Sequence, residues 1–255
     1  MAQGNLAGPD FLEYLKDADY NLWVTFLRDP DIVHLLKRID EQMFSILQHL
    51  NNSGELTAKD SFYYQTTFWI IANRQLRNSF EAALRRKTYD AMLLARPALE
   101  STVFAFRIFK EPDLLKVWAK KRESEKRFRE AFRRAKYPAD MPYAKQFKEN
   151  IDHLNEFSSH PNLNYFSQSL EFEPGVIHVN YFDPKDDTWF YISILTIVSY
   201  GMRILEVMRA TLASRFKIYV TSTEGEWNVL QHDCKKLVDR YSKGYKFSEK
   251  TRKGL

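Results

Sequence analysis

Apolar side chains recur every three or four residues along most of this chain, and a period near 3.6 commits a chain to helices. The first run holds Phe11, Leu12, Leu15, Leu22, Trp23, Phe26 and Leu27, and follows Pro9-Asp10, which suits a helix start. Asp29-Pro30-Asp31 interrupts it and opens a second helix, with Pro30 in the first turn, where its missing N–H costs nothing. That helix carries Ile32, Leu35, Leu36, Ile39, Met43, Ile46, Leu47 and Leu50, and Asn51-Asn52-Ser53-Gly54 closes it. Thr57 and Asp60 are candidate caps for a long third helix through Phe68, Ile71, Leu76, Phe80 and Leu84. Arg85-Arg86-Lys87 suits the negative end of its dipole. A fourth helix ends near Lys110, and a strongly charged fifth starts at Glu111-Pro112-Asp113. A loop from Tyr137 to Pro142 leads to a sixth, between Tyr143 and Ser159, which Pro161 stops.

Past Pro161 the period changes. Phe166 to Phe172 and Val176 to Phe182 alternate as strands do, and Glu173-Pro174-Gly175 between them predicts a β-hairpin. Asp183 to Asp187 forms a turn and cap, followed by a long apolar helix from Thr188 to Phe216 and an amphipathic one from Glu224 to Tyr241. Gly and Pro number only 8 and 9 in 255 residues, which argues against an all-β or disordered chain. No internal repeat and no long linker divides the sequence. The expectation is an all-α fold, a bundle of about eight helices with one small β-hairpin near residues 166–182. It is read as a single domain over residues 1–242, followed by a basic C-terminal tail, residues 243–255.

The single cysteine, Cys234, excludes an internal disulfide framework and fits a reducing compartment. Residues Met1 to Asp10 show no signal-peptide pattern. The longest apolar stretch, around Trp189 to Val198, is shorter than a membrane span and holds polar Ser193 and Thr196. These features predict a cytoplasmic protein with no membrane partner. The net charge of +5 permits an acidic partner without demanding one.

Arg96 and Glu100 lie one helical turn apart in the apolar run Ala91 to Phe106, which predicts an interior position for an ion pair. Buried charges are costly unless paired, so such a pair either fixes helix register or lines a polar pocket with Arg96 as its anion contact. Pro97 beside them removes a backbone hydrogen bond and can kink the helix. Arg203 and Glu206 repeat the pattern in the later apolar helix, so the two helices can meet in a shared polar network. His153, Glu156 and His160 fall near one stripe of the sixth helix, a set of ligands that suits zinc, iron or manganese. Pro161 ends that helix, however, and no second helix offers a matching Glu-x-x-His. Neither a metal nor a cofactor is expected, and His160 is read instead as a polar partner for Arg96 and Glu100.

From Lys116 to Lys136 the chain is strongly basic, with Trp118, Phe128, Phe132 and Tyr137 interleaved. Lys121, Arg122, Lys126, Arg129, Arg133 and Arg134 are the candidate nucleic-acid contacts, since cations neutralise phosphates and rings stack on bases. The alternative is a solvated charged helix docked through its aromatics. Arg28 and His34 meet the Arg-to-His spacing of helical ribonucleases of the HEPN type, a match that chance alone supplies about once in a chain of this composition. No phosphate-binding glycine loop, Gly-x-Ser-x-Gly or Cys-x-x-Cys is present, and His232 does not share a helix face with Cys234.

The run Tyr89 to Ser101, with its Arg-x-x-x-Glu core, resembles a helix of a widespread, uncharacterised family of bacterial all-helical proteins. In that family a segment similar to Glu111 to Trp118 follows, and then a Leu-Ser-x-x-x-His-Pro element. Leu154-Asn155-Glu156-Phe157-Ser158-Ser159-His160-Pro161 resembles that element, with Asn155 in the place of the serine. The resemblance implies an all-helical fold in which Arg96, Glu100 and His160 converge, and it implies no activity. By analogy, some related helical families act in phage defence or as toxins. The leading expectation is therefore a protein that binds RNA, another single-stranded nucleic acid or an acidic partner through the basic helix. The first alternative is a HEPN-like ribonuclease of phage-defence or toxin–antitoxin type, with Arg96, Glu100 and His160 as its catalytic candidates. The second is a helical protein-interaction or oligomerisation module, such as a homodimer, presenting Tyr63, Tyr64 and Trp69.

Overall fold

The structure is a computed structural model and describes residues 5–52, 61–133, 137–159, 170–174, 176–182, 187–213 and 223–244. It is all-α with a small β-sheet. Helix α1 (Phe11–Arg28) starts at a capping box. The Asp10 carboxylate accepts from the Leu12 and Glu13 N–H groups at 2.8 and 2.9 Å, and Glu13 accepts from the Asp10 N–H at 3.1 Å. Helix α2 (Pro30–Asn52) follows, and Ile32, Leu35, Leu36, Ile39, Met43, Ile46 and Leu50 are buried along it, as their spacing predicts. Helices α3 (Ser61–Leu84) and α4 (Thr88–Lys110) form a closely packed hairpin. Arg86 turns the chain between them in the left-handed region, at φ 60°. The cap candidates Thr57 and Asp60 lie outside the described residues.

The single basic helix expected from Glu111 is broken. It consists of α5 (Leu114–Ala119), a turn, α6 (Glu125–Phe128) and a π-helical turn, Arg129–Arg133. The Lys120 N–H still reaches the Lys116 carbonyl at 3.2 Å, and the break falls after it, where the chain turns through Lys121 to Ser124 before α6 begins. Helix α7 (Ala144–Ser159) follows. Strands β2 (Leu170–Glu173) and β3 (Val176–Val179) form the predicted hairpin, shorter than the alternation suggested. The sheet has a third member the sequence did not reveal. Strand β1 (Asn5–Ala7) pairs in parallel with β3, Leu6 opposite Ile177, in the order β1-β3-β2.

Helix α8 (Asp187–Ala213) forms the centre of the molecule, packed against α2, α3 and α4. Its length and composition would suffice to cross a membrane, unlike the shorter stretch read from the sequence, but 72% of its apolar window is buried inside the protein. Helix α9 (Glu224–Gly244) closes over α2 and α8 and runs past residue 242, so Lys243 belongs to a helix and not to a tail.

Four helix ends meet at Asp29, those of α1, α2, α8 and α9. Its buried carboxylate accepts from the Tyr191 and Tyr241 hydroxyls at 2.7 and 2.9 Å and from Arg28 Nε at 2.9 Å. Arg28 and Arg86 both donate to Asp187, at 3.0 and 2.7 Å. Burial works against the Arg28 charge, but the hydrogen bond to Asp29 and the charges around it prevail and raise its pKa.

The Arg203 and Glu206 expectation needs correction. Arg203 lines a cavity with Tyr143 and Cys234, Glu206 Oε2 is buried with no hydrogen-bond partner among the described residues, and the charges felt by the two are those of Glu149, Arg209 and Glu224 and not those of Arg96 and Glu100. Desolvation raises the Glu206 pKa, Arg209 opposes the shift and Glu224 adds to it. A raised folded-state pKa favours folding below the ordinary carboxylate range, and that contribution is lost as pH rises through the folded value. Glu206→Gln keeps the side chain neutral throughout. It is expected to raise the melting temperature by a few degrees at pH 7 and to change it little at pH 4. Thermal melts across that range read the difference, and a Gln variant less stable at pH 7 would contradict it.

Candidate functional site

A cavity of about 750 Å³ opens between α4, the broken basic segment and α7. Arg96, Glu100, Val103 and Phe104 of α4 form one wall. Lys121, Phe128 and Phe132 come from the basic segment, and Lys148, Ile151, Asp152 and Asn155 from α7, with Tyr137 between. The size lies within the range of small-molecule and nucleotide sites.

Helix α4 has two working faces. Ala91, Ala95, Ala98, Leu99 and Thr102 are buried in the core, which leaves Arg96 and Glu100 on the cavity side. Arg96 Nε donates to Glu100 Oε1 at 3.0 Å, and each side chain keeps 34% of its exposure. The pair predicted from spacing is therefore present, but as part of a cavity wall and not sealed in the interior. Pro97 has no N–H to give the Leu93 carbonyl, so the backbone hydrogen bonding is one short beside Arg96.

The aromatic floor is held from α4. Arg107, buried and with its pKa lowered by desolvation, donates to the Ala131 carbonyl and lies over the Phe132 ring at 5.4 Å. The π turn brings Phe128 and Phe132 into a stack at 5.1 Å, and Phe104 meets Phe132 edge-on at 5.1 Å. Lys121 Nζ lies 4.9 Å from the Phe128 ring centroid, a cation–π contact. Burial, then the charges of Asp152 and Glu100, push the Tyr137 hydroxyl up to about 12. At neutral pH it is protonated and can donate a hydrogen bond.

Of the candidates read from the sequence, the structure brings Arg96, Glu100 and Lys121 together. Arg122 and Lys126 are exposed on the same segment outside the cavity, and Arg129 pairs with Glu125. The Arg133 side chain, Arg134, the Glu156 side chain and His160 lie outside the described residues, so the convergence of His160 on Arg96 does too. Tyr137 was among the aromatics read as base-stacking rings, whereas Lys148 and Asp152 were not predicted as site residues. The i, i+4, i+7 spacing of Lys148, Asp152 and Asn155 on α7 was the available signal. Arg28 is engaged by Asp29 and Asp187, while His34 lies in a separate cleft between α2 and α9 beside Arg38 and Asp233. Trp69, expected at the surface, is fully buried, whereas Tyr64 is exposed. Burial pushes the Cys234 thiol up to about 11 against the pull of Arg203, so the thiolate a nucleophile requires is scarce at neutral pH.

Comparison of the chain with protein-family models, curated proteins and solved structures found no match.

Proposed function

We propose that this protein binds single-stranded nucleic acid, with one nucleotide seated in the cavity between α4, the basic segment and α7. The observation that carries this reading is the placement of three cations, Arg96, Lys121 and Lys148, around an aromatic floor of Phe104, Phe128, Phe132 and Tyr137. Cations neutralise phosphate, and rings accept any base by stacking, so the combination favours single strands over a duplex or an acidic protein. Glu100, Asp152 and Asn155 supply acceptors for exocyclic amino groups. Exposed Arg122 and Lys126 extend the positive track along the strand.

The test is fluorescence anisotropy with an end-labelled, mixed-sequence single-stranded RNA across a salt series, beside a denaturing gel. Lys121→Glu with Lys148→Glu is expected to weaken binding at least tenfold. It should also flatten the salt dependence, because each phosphate neutralised on a single strand contributes about 0.7 to the slope. Arg96→Ala is expected to weaken binding too, with a stability change of no more than about 1 kcal/mol, because a half-exposed ion pair contributes little. Unchanged affinity in the double reversal overturns the reading. Cleavage of the RNA, abolished in His160→Ala, would replace it with the ribonuclease.

A further inference from the structure

Helix α1 buries only Ala18 and Thr25. Its other side presents Phe11, Leu12, Leu15, Trp23, Phe26 and Leu27 to solvent, with Phe11, Trp23 and Leu27 71, 65 and 82% exposed. A capped helix with a broad apolar stripe turned away from its own core has a partner still to meet. This face shares no residue with the nucleotide cavity, and the inference from it does not rest on the proposed binding.

The spacing of the stripe identifies the partner. Read from Asp19 outward, the apolar residues fall at matching distances in both directions: Leu15 and Trp23, Leu12 and Phe26, Phe11 and Leu27. A two-fold interface requires that residue i meet residue j and j meet i, and a helix with this symmetry satisfies it by pairing antiparallel with itself. We infer that two copies of this chain associate through α1, antiparallel about an axis at Asp19, with Leu15 of each against Trp23 of the other.

Area and charge agree with that pairing. At ~200 Å² per aromatic side chain, the exposed parts of Phe11, Trp23 and Phe26 alone amount to about 350 Å², already the size of the largest patch on many monomers. The three leucines bring the face toward the ~800 Å² that each partner gives a standard interface. Asp19 on the axis would face its own copy, but its carboxylate is turned to Arg85 of the same chain. Antiparallel packing also opposes the two helix dipoles. The charges of α1 are mainly acidic, Glu13, Asp17 and Asp19 against Lys16 and Arg28, which disfavours an anionic lipid surface or nucleic acid as the occupant.

Sedimentation equilibrium of the full chain between about 1 and 100 μM is expected to show a reversible dimer, within the micromolar range common for weak homodimers. Leu15→Glu with Trp23→Glu is expected to weaken the dimer at least a hundredfold with an unchanged helical circular dichroism spectrum. In a Cys234→Ser background, mixing Leu15→Cys with Trp23→Cys is expected to give disulfide-linked dimers containing one of each, with far less linkage in either variant alone. A wild-type chain that stays monomeric, a dimer indifferent to the double glutamate variant, or the absence of the mixed disulfide each overturns the proposal. A monomer that sediments with anionic vesicles overturns it in favour of a lipid surface.

Discussion

Asp29→Ala is expected to cost about 2–4 kcal/mol of stability, chiefly because two buried hydroxyl donors lose the acceptor they share. The loss has three identifiable parts. Arg28 Nε loses its acceptor, and although Arg28 keeps Asp187, it then holds a half-buried charge with half its support. Tyr191 and Tyr241 lose the oxygen that both hydroxyls share, and an unsatisfied buried donor costs about 1–3 kcal/mol. Their rings stack at 4.4 Å, so neither hydroxyl reaches water without disturbing the other ring. The parts do not add, because all three donors share one carboxylate. A fall of roughly 10 °C in melting temperature corresponds to this loss in a chain of this length. Tyr241→Phe removes one donor and leaves the acceptor satisfied by two others, so it is expected to cost about 1 kcal/mol. Urea unfolding of both variants compares them directly. An Asp29→Ala protein as stable as wild type would mean that the hydrogen bonds to Asp29 add nothing to the joint between α1, α2, α8 and α9.

The Asp29 cluster shows what periodicity leaves out. The sequence places Asp29 at a helix break, which is correct, but nothing in its neighbours says that Tyr191 and Tyr241 will donate to it from helices far along the chain. The helices themselves were legible because burial determines them. In α2 the residues spaced three and four apart are the buried ones. In α1 the same kind of stripe was equally readable, yet it faces solvent. A period reports that one face of a helix is apolar. It does not report whether that face meets the chain's own core or another molecule. Strand β1 was invisible because three residues contain too little alternation to distinguish them from a loop, and their pairing with β3 is long-range.

The candidate site was half legible for a related reason. Arg96 and Glu100 were readable as a pair because their interaction is local, four residues apart on one helix. Their environment was misjudged, since the apolar residues around them were taken to surround the pair, while the helix divides them from it by face. Lys121 stood among the many cations of the basic segment with nothing local to distinguish it. What distinguishes it is the break after α5, which swings it over Phe128, and the Arg107 bond that fixes the π turn. Lys148 and Asp152 form a readable row on α7, but its pairing with α4 is tertiary.

Gly201→Leu is expected to destabilise the protein by about 3 kcal/mol or more, at the upper end of what overpacking produces. Gly201 lies mid-helix in α8, where glycine is about 1 kcal/mol less favourable than alanine. A glycine retained there needs a packing reason, and the geometry supplies it. A β-carbon at Gly201 would lie 3.1 Å from Ile39 Cγ2, 3.3 Å from Phe80 Cζ and 3.4 Å from Leu76 Cδ2. These three side chains come from α2 and α3, and all are buried, so the absence of a side chain lets α8 approach both helices at once. Gly201→Ala adds one carbon closer than ordinary contact to Ile39 and Phe80, so those side chains must give by a few tenths of an ångström. Its gain in helix propensity and its cost in crowding are of similar size, and the net change is expected within about 1 kcal/mol of zero. Leucine adds three more carbons with nowhere to go, and α8 must withdraw from α2 and α3 to admit them. Because α4 packs against the same helix, the displacement reaches the element that carries Arg96 and Glu100. The leucine variant should therefore lose melting temperature and, on the proposed reading of the cavity, RNA affinity with it, whereas the alanine variant should keep both. A leucine variant that melts within about 2 °C of wild type would show that α8 has room at Gly201 that these three contacts deny.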